Sequence, residues 1–189
     1  VNILPLYLVL LFCAPVLLWL AWRWPMRLWA GSFALWFVSG WFYLGLPNYP
    51  TGGTWFFNPM TWQVVFVTGL LIGVAMKDNR RLVAVRPWMQ VLTGAIVIFA
   101  CAATLFPPVG KVMGHSFWWL KETFHLPWNL LAFDKTFLTG PRLIHILALA
   151  YFLSTFPAVR RACAHRLAAP FELLGRQALP VFALGSVLC

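Results

Sequence analysis

Acidic side chains are almost missing from this chain. Asp78, Glu122, Asp134 and Glu172 are the four in 189 residues, and charged residues of both signs amount to 10%. A soluble domain carries about a quarter of its residues charged, so this scarcity argues against an ordinary water-soluble fold. Cysteine is as sparse: Cys13 and Cys101 fall in apolar runs, Cys163 in a basic segment and Cys189 at the last position. None has metal-ligand spacing or an evident disulfide partner, so no metal is expected and the four act as small apolar residues. Also missing are a nucleotide-binding glycine loop, a nucleophile elbow and an internal repeat.

What is abundant is hydrocarbon. Hydrophobic residues make up 62% of the sequence, and the mean hydropathy is +0.81. A membrane crossing needs about 20 apolar residues. Such runs occupy 3–22, 28–46, 60–76, 88–106 and 142–159, with a shorter one at 179–189. The expected fold class is all-α: a polytopic transmembrane helix bundle with five full crossings plus a truncated sixth, all within one integral membrane domain over 1–189. An unfinished crossing leaves backbone groups without partners in lipid, and no charged leader precedes the first run. Both features predict a chain cut from a longer polypeptide at each end.

The net charge of +10 raises nucleic acid as a partner, but the distribution of cations excludes it. Arg23, Arg27, Lys77, Arg80, Arg81, Arg86, Arg160, Arg161, Arg166 and Arg176 fall in one set of alternate loops, and Lys111, Lys121, Lys135 and Arg142 in the other. Ten against four is the positive-inside pattern of a multi-pass bacterial inner-membrane protein. It puts the loops 47–59 and 107–140 on the periplasmic side.

Local chemistry refines this picture. Pro15 interrupts the first run and is expected to kink it. The uncharged loop 47–59 has turn composition, and Trp55, Phe56 and Phe57 suit an interfacial aromatic belt. Gln63 lies in the first turns of a membrane helix, where an unpaired amide is costly, so it should face protein or a water-filled cavity. Gly69 and Gly73 form a small-xxx-small pattern that predicts close helix packing. Residues 116–125 suit a short interfacial helix, whose aromatics serve either as a belt or as a sugar-stacking platform. Residues 160–178 read as a basic interfacial helix closed by Gly175.

The strongest polar constellation is Asp134-Lys135-Thr136, followed by Arg142 and His145 three residues apart on one helix face. Ionisable groups at that depth point to a functional site. A His with an acidic partner can deprotonate a sugar hydroxyl, while Arg or Lys can hold a carboxylate or developing oxyanion. Two structural roles fit the same residues: Arg142 as an interface anchor paired with Asp134, and His145 as a neutral donor to a backbone carbonyl. Arg80 and Arg81, near Arg86, suit either the phosphates of a cytoplasmic donor such as coenzyme A or a purely topogenic role.

Four blocks carry a family resemblance: Asn2-Ile3-Leu4-Pro5-Leu6-Tyr7; Phe57-Asn58-Pro59 with Trp62-Gln63; Asp134-Lys135-Thr136 with Arg142-Leu143-Ile144-His145; and Leu174-Gly175-Arg176 before Leu179-Pro180-Val181-Phe182. In these the chain resembles the OpgC-type osmoregulated periplasmic glucan succinyltransferases of the acyltransferase-3 superfamily. It departs from the pattern at Ala178, where the family often has Ser. The resemblance implies a membrane O-acyltransferase, with no bound cofactor, that takes succinyl from cytoplasmic acyl-CoA and delivers it to a periplasmic glucan. It also implies that the superfamily's Arg and catalytic His lie in an early helix absent from this chain, so His145 does not stand for that His. The expected pocket comprises Asn58, Trp62, Gln63, Lys135 and Arg142 for substrate, with His145 and Asp134 as candidate catalytic groups. A glycan or lipid-linked-intermediate flippase and a non-catalytic membrane scaffold are the competing expectations.

Overall fold

The computed structural model describes residues 3–48 and 52–177. Nine α-helices and one 3-10 turn account for its regular structure, and no strand occurs among the described residues. The helices are α1 (Ile3–Arg23), α2 (Pro25–Trp41), α3 (Pro59–Lys77), α4 (Pro87–Leu105), α5 (Pro107–Phe124), α6 (Trp128–Leu131), α7 (Gly140–Thr155), α8 (Pro157–Ala164) and α9 (Ala169–Arg176). Proline sits in the first turn of α2, α3, α4, α5, α7, α8 and α9. Its missing N–H is harmless there, because first-turn amides have no intrahelical acceptor anyway. Proline is therefore the main punctuation of this chain.

Each of the five long apolar runs contains a helix, but three, α1, α3 and α4, are both long and apolar enough to cross a membrane on their own. At 1.5 Å per residue, the 17 residues of α2 and the 16 of α7 reach about 26 and 24 Å, short of a 30 Å hydrocarbon core. The run expected at 142–159 is broken. Phe156 is extended ahead of Pro157, and α8 leaves α7 at 82°. Counting α7 and α8 as one bent span gives up to four candidates rather than five. The sixth run, 179–189, lies outside the described residues.

Other expectations shift too. The interfacial helix foreseen at 116–125 begins nine residues earlier, at Pro107, and ends where His125 takes a left-handed conformation with φ 48°. The basic segment is divided into α8, a 3-10 turn and α9, and Gly175 lies inside α9 instead of closing it.

α1, α2 and α3 pack on one another, while α4 packs on α7 and α5. α6 touches both α2 and α7 and bridges the two groups. Trp36, Val64, Leu138 and Leu143 form one buried core; Ala21, Val67 and Leu71 form another. Gly69 and Gly73 do not mediate packing among the described residues, where no other element approaches their Cβ positions within 4 Å. The close approaches fall elsewhere. A Cβ on Gly40 would lie 2.6 Å from Asn129 Nδ2, and one on Gly140 would lie 2.5 Å from the Leu130 carbonyl oxygen. These two glycines let α6 sit directly against the end of α2 and the start of α7.

Candidate functional site

The site is built around the segment between α6 and α7. Asp134 Oδ1 accepts from Phe137 N at 2.9 Å, while Thr139 Oγ1 accepts from Asp134 N at 3.0 Å and donates to Asp134 O at 3.1 Å. An aspartate side chain that captures a backbone amide a few residues on stabilises a turn by mimicking the backbone. The turn forces Leu138 to φ 45° although it is fully buried, a conformation uncommon outside glycine.

Three carbonyls of this turn point at α2 and α3, and each receives a donor. Trp62 Nε1 donates to Lys135 O at 3.0 Å. The Asn58 amide and Thr61 Oγ1 both donate to Thr136 O, at 3.1 and 3.3 Å. Trp36 Nε1 donates to Leu138 O at 2.8 Å. Asn58, 1% exposed, completes the grip: its Oδ1 caps α3 through Met60 N at 3.1 Å, and its Nδ2 donates to Leu44 O. One side chain thus starts a helix and fixes the loop that enters it. Replacing Trp36 by Phe keeps an aromatic ring but removes the donor and part of the ring volume, leaving a buried carbonyl unpaired beside a small cavity. A loss of about 1–2 kcal/mol is expected, readable as a lower melting temperature in mild detergent; an unchanged melting curve would show the bond contributes nothing.

Asn58, Trp62, Asp134 and Lys135 are therefore brought together as expected, but through main-chain contacts. Gln63 goes elsewhere. Its Nε2 donates to Ser32 O at 2.7 Å and its Oε1 accepts from Ser32 Oγ at 2.6 Å, tying α3 to α2. The protein-facing amide is as foreseen, although its partner is not in the 134–145 region. Ser32 carried a signal that sequence reading passed over: a hydroxyl inside an apolar run. Trp36 and Asn129 carried none, because an indole inside an apolar run and an asparagine at a helix start are commonplace.

Arg142 and His145 lie in the first turns of α7, both half-buried. The Asp134–Arg142 ion pair does not form; the ion pair found among the described residues is Arg80–Asp78, at 3.1 Å and well exposed. Among the described residues Arg142 Nε is buried without a hydrogen-bond partner, as are Ser39 Oγ and Asn129 Oδ1. Around this end of the bundle, Tyr43 stacks on Trp128 at 4.6 Å, and Phe137 meets both rings edge-on. On α5, Trp118 and Trp119 are more than half exposed. Lys135 is exposed.

The opposite end is basic. Lys77 Nζ lies 5.7 Å from the Trp22 ring centroid, and Tyr151 Oη receives from Arg86 N and donates to Ala84 O. Arg80 and Arg81 are exposed there. No cluster of metal-ligating side chains exists among the described residues.

Apolar helices of membrane-crossing length, combined with a polar constellation at the end away from most of the arginines, define the class: an α-helical membrane protein. Within that class, the model of the OpgC protein family matches residues 1–189, and the chain belongs to that family. Membership points to a glucan-modifying membrane enzyme. No curated protein and no solved structure matches the chain.

Proposed function

We propose that this chain is part of a membrane O-acyltransferase that transfers an acyl group, succinyl, from cytoplasmic acyl-CoA to a periplasmic glucan. One observation carries the site assignment: Arg142 Nε is buried and has no partner among the described residues, one helical turn from His145. A buried guanidinium N–H without an acceptor is costly, and an incoming carboxylate or developing oxyanion supplies the acceptor it lacks. Arg142 then holds the anionic acyl group or the tetrahedral oxyanion, and His145 orients or deprotonates the attacking sugar hydroxyl, whose oxygen bonds to the acyl carbon as the thioester C–S bond breaks and coenzyme A leaves as the thiol, taking up the proton. Asn58, Trp62 and Asp134 shape the turn that carries Lys135 to the site, and Lys135 offers a second cation. Gln63 holds α3 against α2. Exposed Trp118 and Trp119 suit the apolar faces of sugar rings. At the basic end, Arg81 and the ion-paired Arg80 are available for donor phosphates, and the bias of cations towards this end assigns it to the cytoplasm of a bacterial inner membrane.

The test is mass spectrometry of periplasmic glucans from cells carrying the full-length gene, a deletion, or Arg142→Ala and His145→Ala variants of matched protein level. At least a tenfold loss of acyl substituents is expected for each variant, with the glucan backbone retained. Full substitution in both variants would end the site assignment. Loss of the backbone itself from the periplasm in the deletion strain would favour a flippase.

A further inference from the structure

We propose that the groove between α1 and α2 at the basic end binds a single anionic phospholipid. The cavity has a volume of about 320 Å³. Leu17 and Leu20 of α1 and Leu28, Gly31 and Leu35 of α2 supply its apolar walls. At its deep end stand Ser32 and Gln63, whose polar groups satisfy one another. A ligand reaching them meets no free hydrogen-bond donor, so this part of the groove suits hydrocarbon and offers an anionic head nothing to bind.

The mouth has the opposite character. Arg27 and Trp24 line it, and the guanidinium carbons of Arg27 and Arg23 lie 5.6 and 5.8 Å from the centroid of the same Trp24 ring. Neither arginine is ion-paired among the described residues. Two cations fixed against one indole, above an apolar slot, complement a phosphate followed by an acyl chain. Because the surrounding bilayer is as apolar as the groove, the tail gains little by entering it. Selection must come from the headgroup, and an anionic headgroup is what a pair of arginines recognises. This proposal is independent of the acyl-transfer reading.

The test is native mass spectrometry of the purified, delipidated full-length protein, titrated separately with phosphatidylglycerol and phosphatidylcholine. One phosphatidylglycerol is expected to bind with at least tenfold preference over phosphatidylcholine. Arg27→Gln combined with Arg23→Gln should abolish the preference. Gly31→Leu fills the groove from a position where an added Cβ meets no atom of the described residues within 4 Å; it should reduce phosphatidylglycerol occupancy at least fivefold with an unchanged melting temperature. Equal binding of the two lipids to the unmodified protein would overturn the proposal. So would full phosphatidylglycerol occupancy in Gly31→Leu, or a change of oligomeric state in that variant with lipid binding intact, which would mark the groove as a protein contact.

Discussion

Gly140→Val is expected to remove folded protein from the membrane almost completely. The Cβ of any residue here would stand 2.5 Å from the Leu130 carbonyl oxygen and 3.1 Å from its carbon. That obstacle is main chain, which cannot rotate aside as a side chain can. Either α6 moves away from α7, opening the bridge between the two helix groups, or α7 loses its first turn and with it the position of Arg142. Overpacking of this kind costs about 3 kcal/mol, a large part of the stability of a typical domain. Fluorescence-detected size-exclusion chromatography of tagged full-length protein measures the outcome. A monodisperse peak of normal height would show that α6 has room to retreat. Gly69→Val is the matched control, since nothing approaches that position, and its profile should be normal.

The second large effect is expected at Asn58. Replacement by Ala removes the acceptor for Met60 N and the donor to Leu44 O. A lost helix cap costs about 1 kcal/mol and an unpaired buried carbonyl about 1–3 kcal/mol, so a total of about 2–4 kcal/mol is expected. Asn58→Asp separates the two roles. Aspartate is as good a cap as asparagine, but it has no N–H for Leu44 O and sets a carboxylate against that carbonyl at a position 1% exposed. Burying an uncompensated charge is worse than leaving a bond unmade. Thermal melting in detergent should therefore rank the unmodified protein above Ala and Ala above Asp. If Asp matches Asn, capping alone explains the residue.

Much of the fold was legible because hydrophobic length and proline position are local signals. The helix starts at Pro25, Pro59 and Pro87 lie within a few residues of the starts of the apolar runs, whereas the start at Pro157 fell inside the run read as 142–159 and was missed. Helix ends were less legible. α2 stops at Trp41 although Phe42 to Leu46 remain apolar, because Tyr43 adopts φ 53° and the chain folds towards Trp128. Composition does not encode that turn. The contacts around the 134–139 turn were legible in part for a similar reason. Asn58, Trp62 and Asp134 stood out as polar or amphipathic residues near the membrane, and the structure places them together, yet their partners are carbonyls, which have no signature in a sequence. Gln63 was sound in its need for a partner and unpredictable in its choice, since Ser32 lies 31 residues away. Gly69 and Gly73 show the converse: a recurring packing pattern that the described fold leaves open.

The grip on the 134–139 turn has a consequence for how this region tolerates change. α2 and α3 hold its peptide oxygens at residues 135, 136 and 138, so the path of the turn is written in Trp36, Asn58, Thr61 and Trp62. Substitutions at 135 and 136 leave the oxygens in place and so preserve the route of the chain. The turn behaves as an interchangeable tip on a fixed mount, where new side chains can alter what is contacted outside the bundle without redrawing its interior.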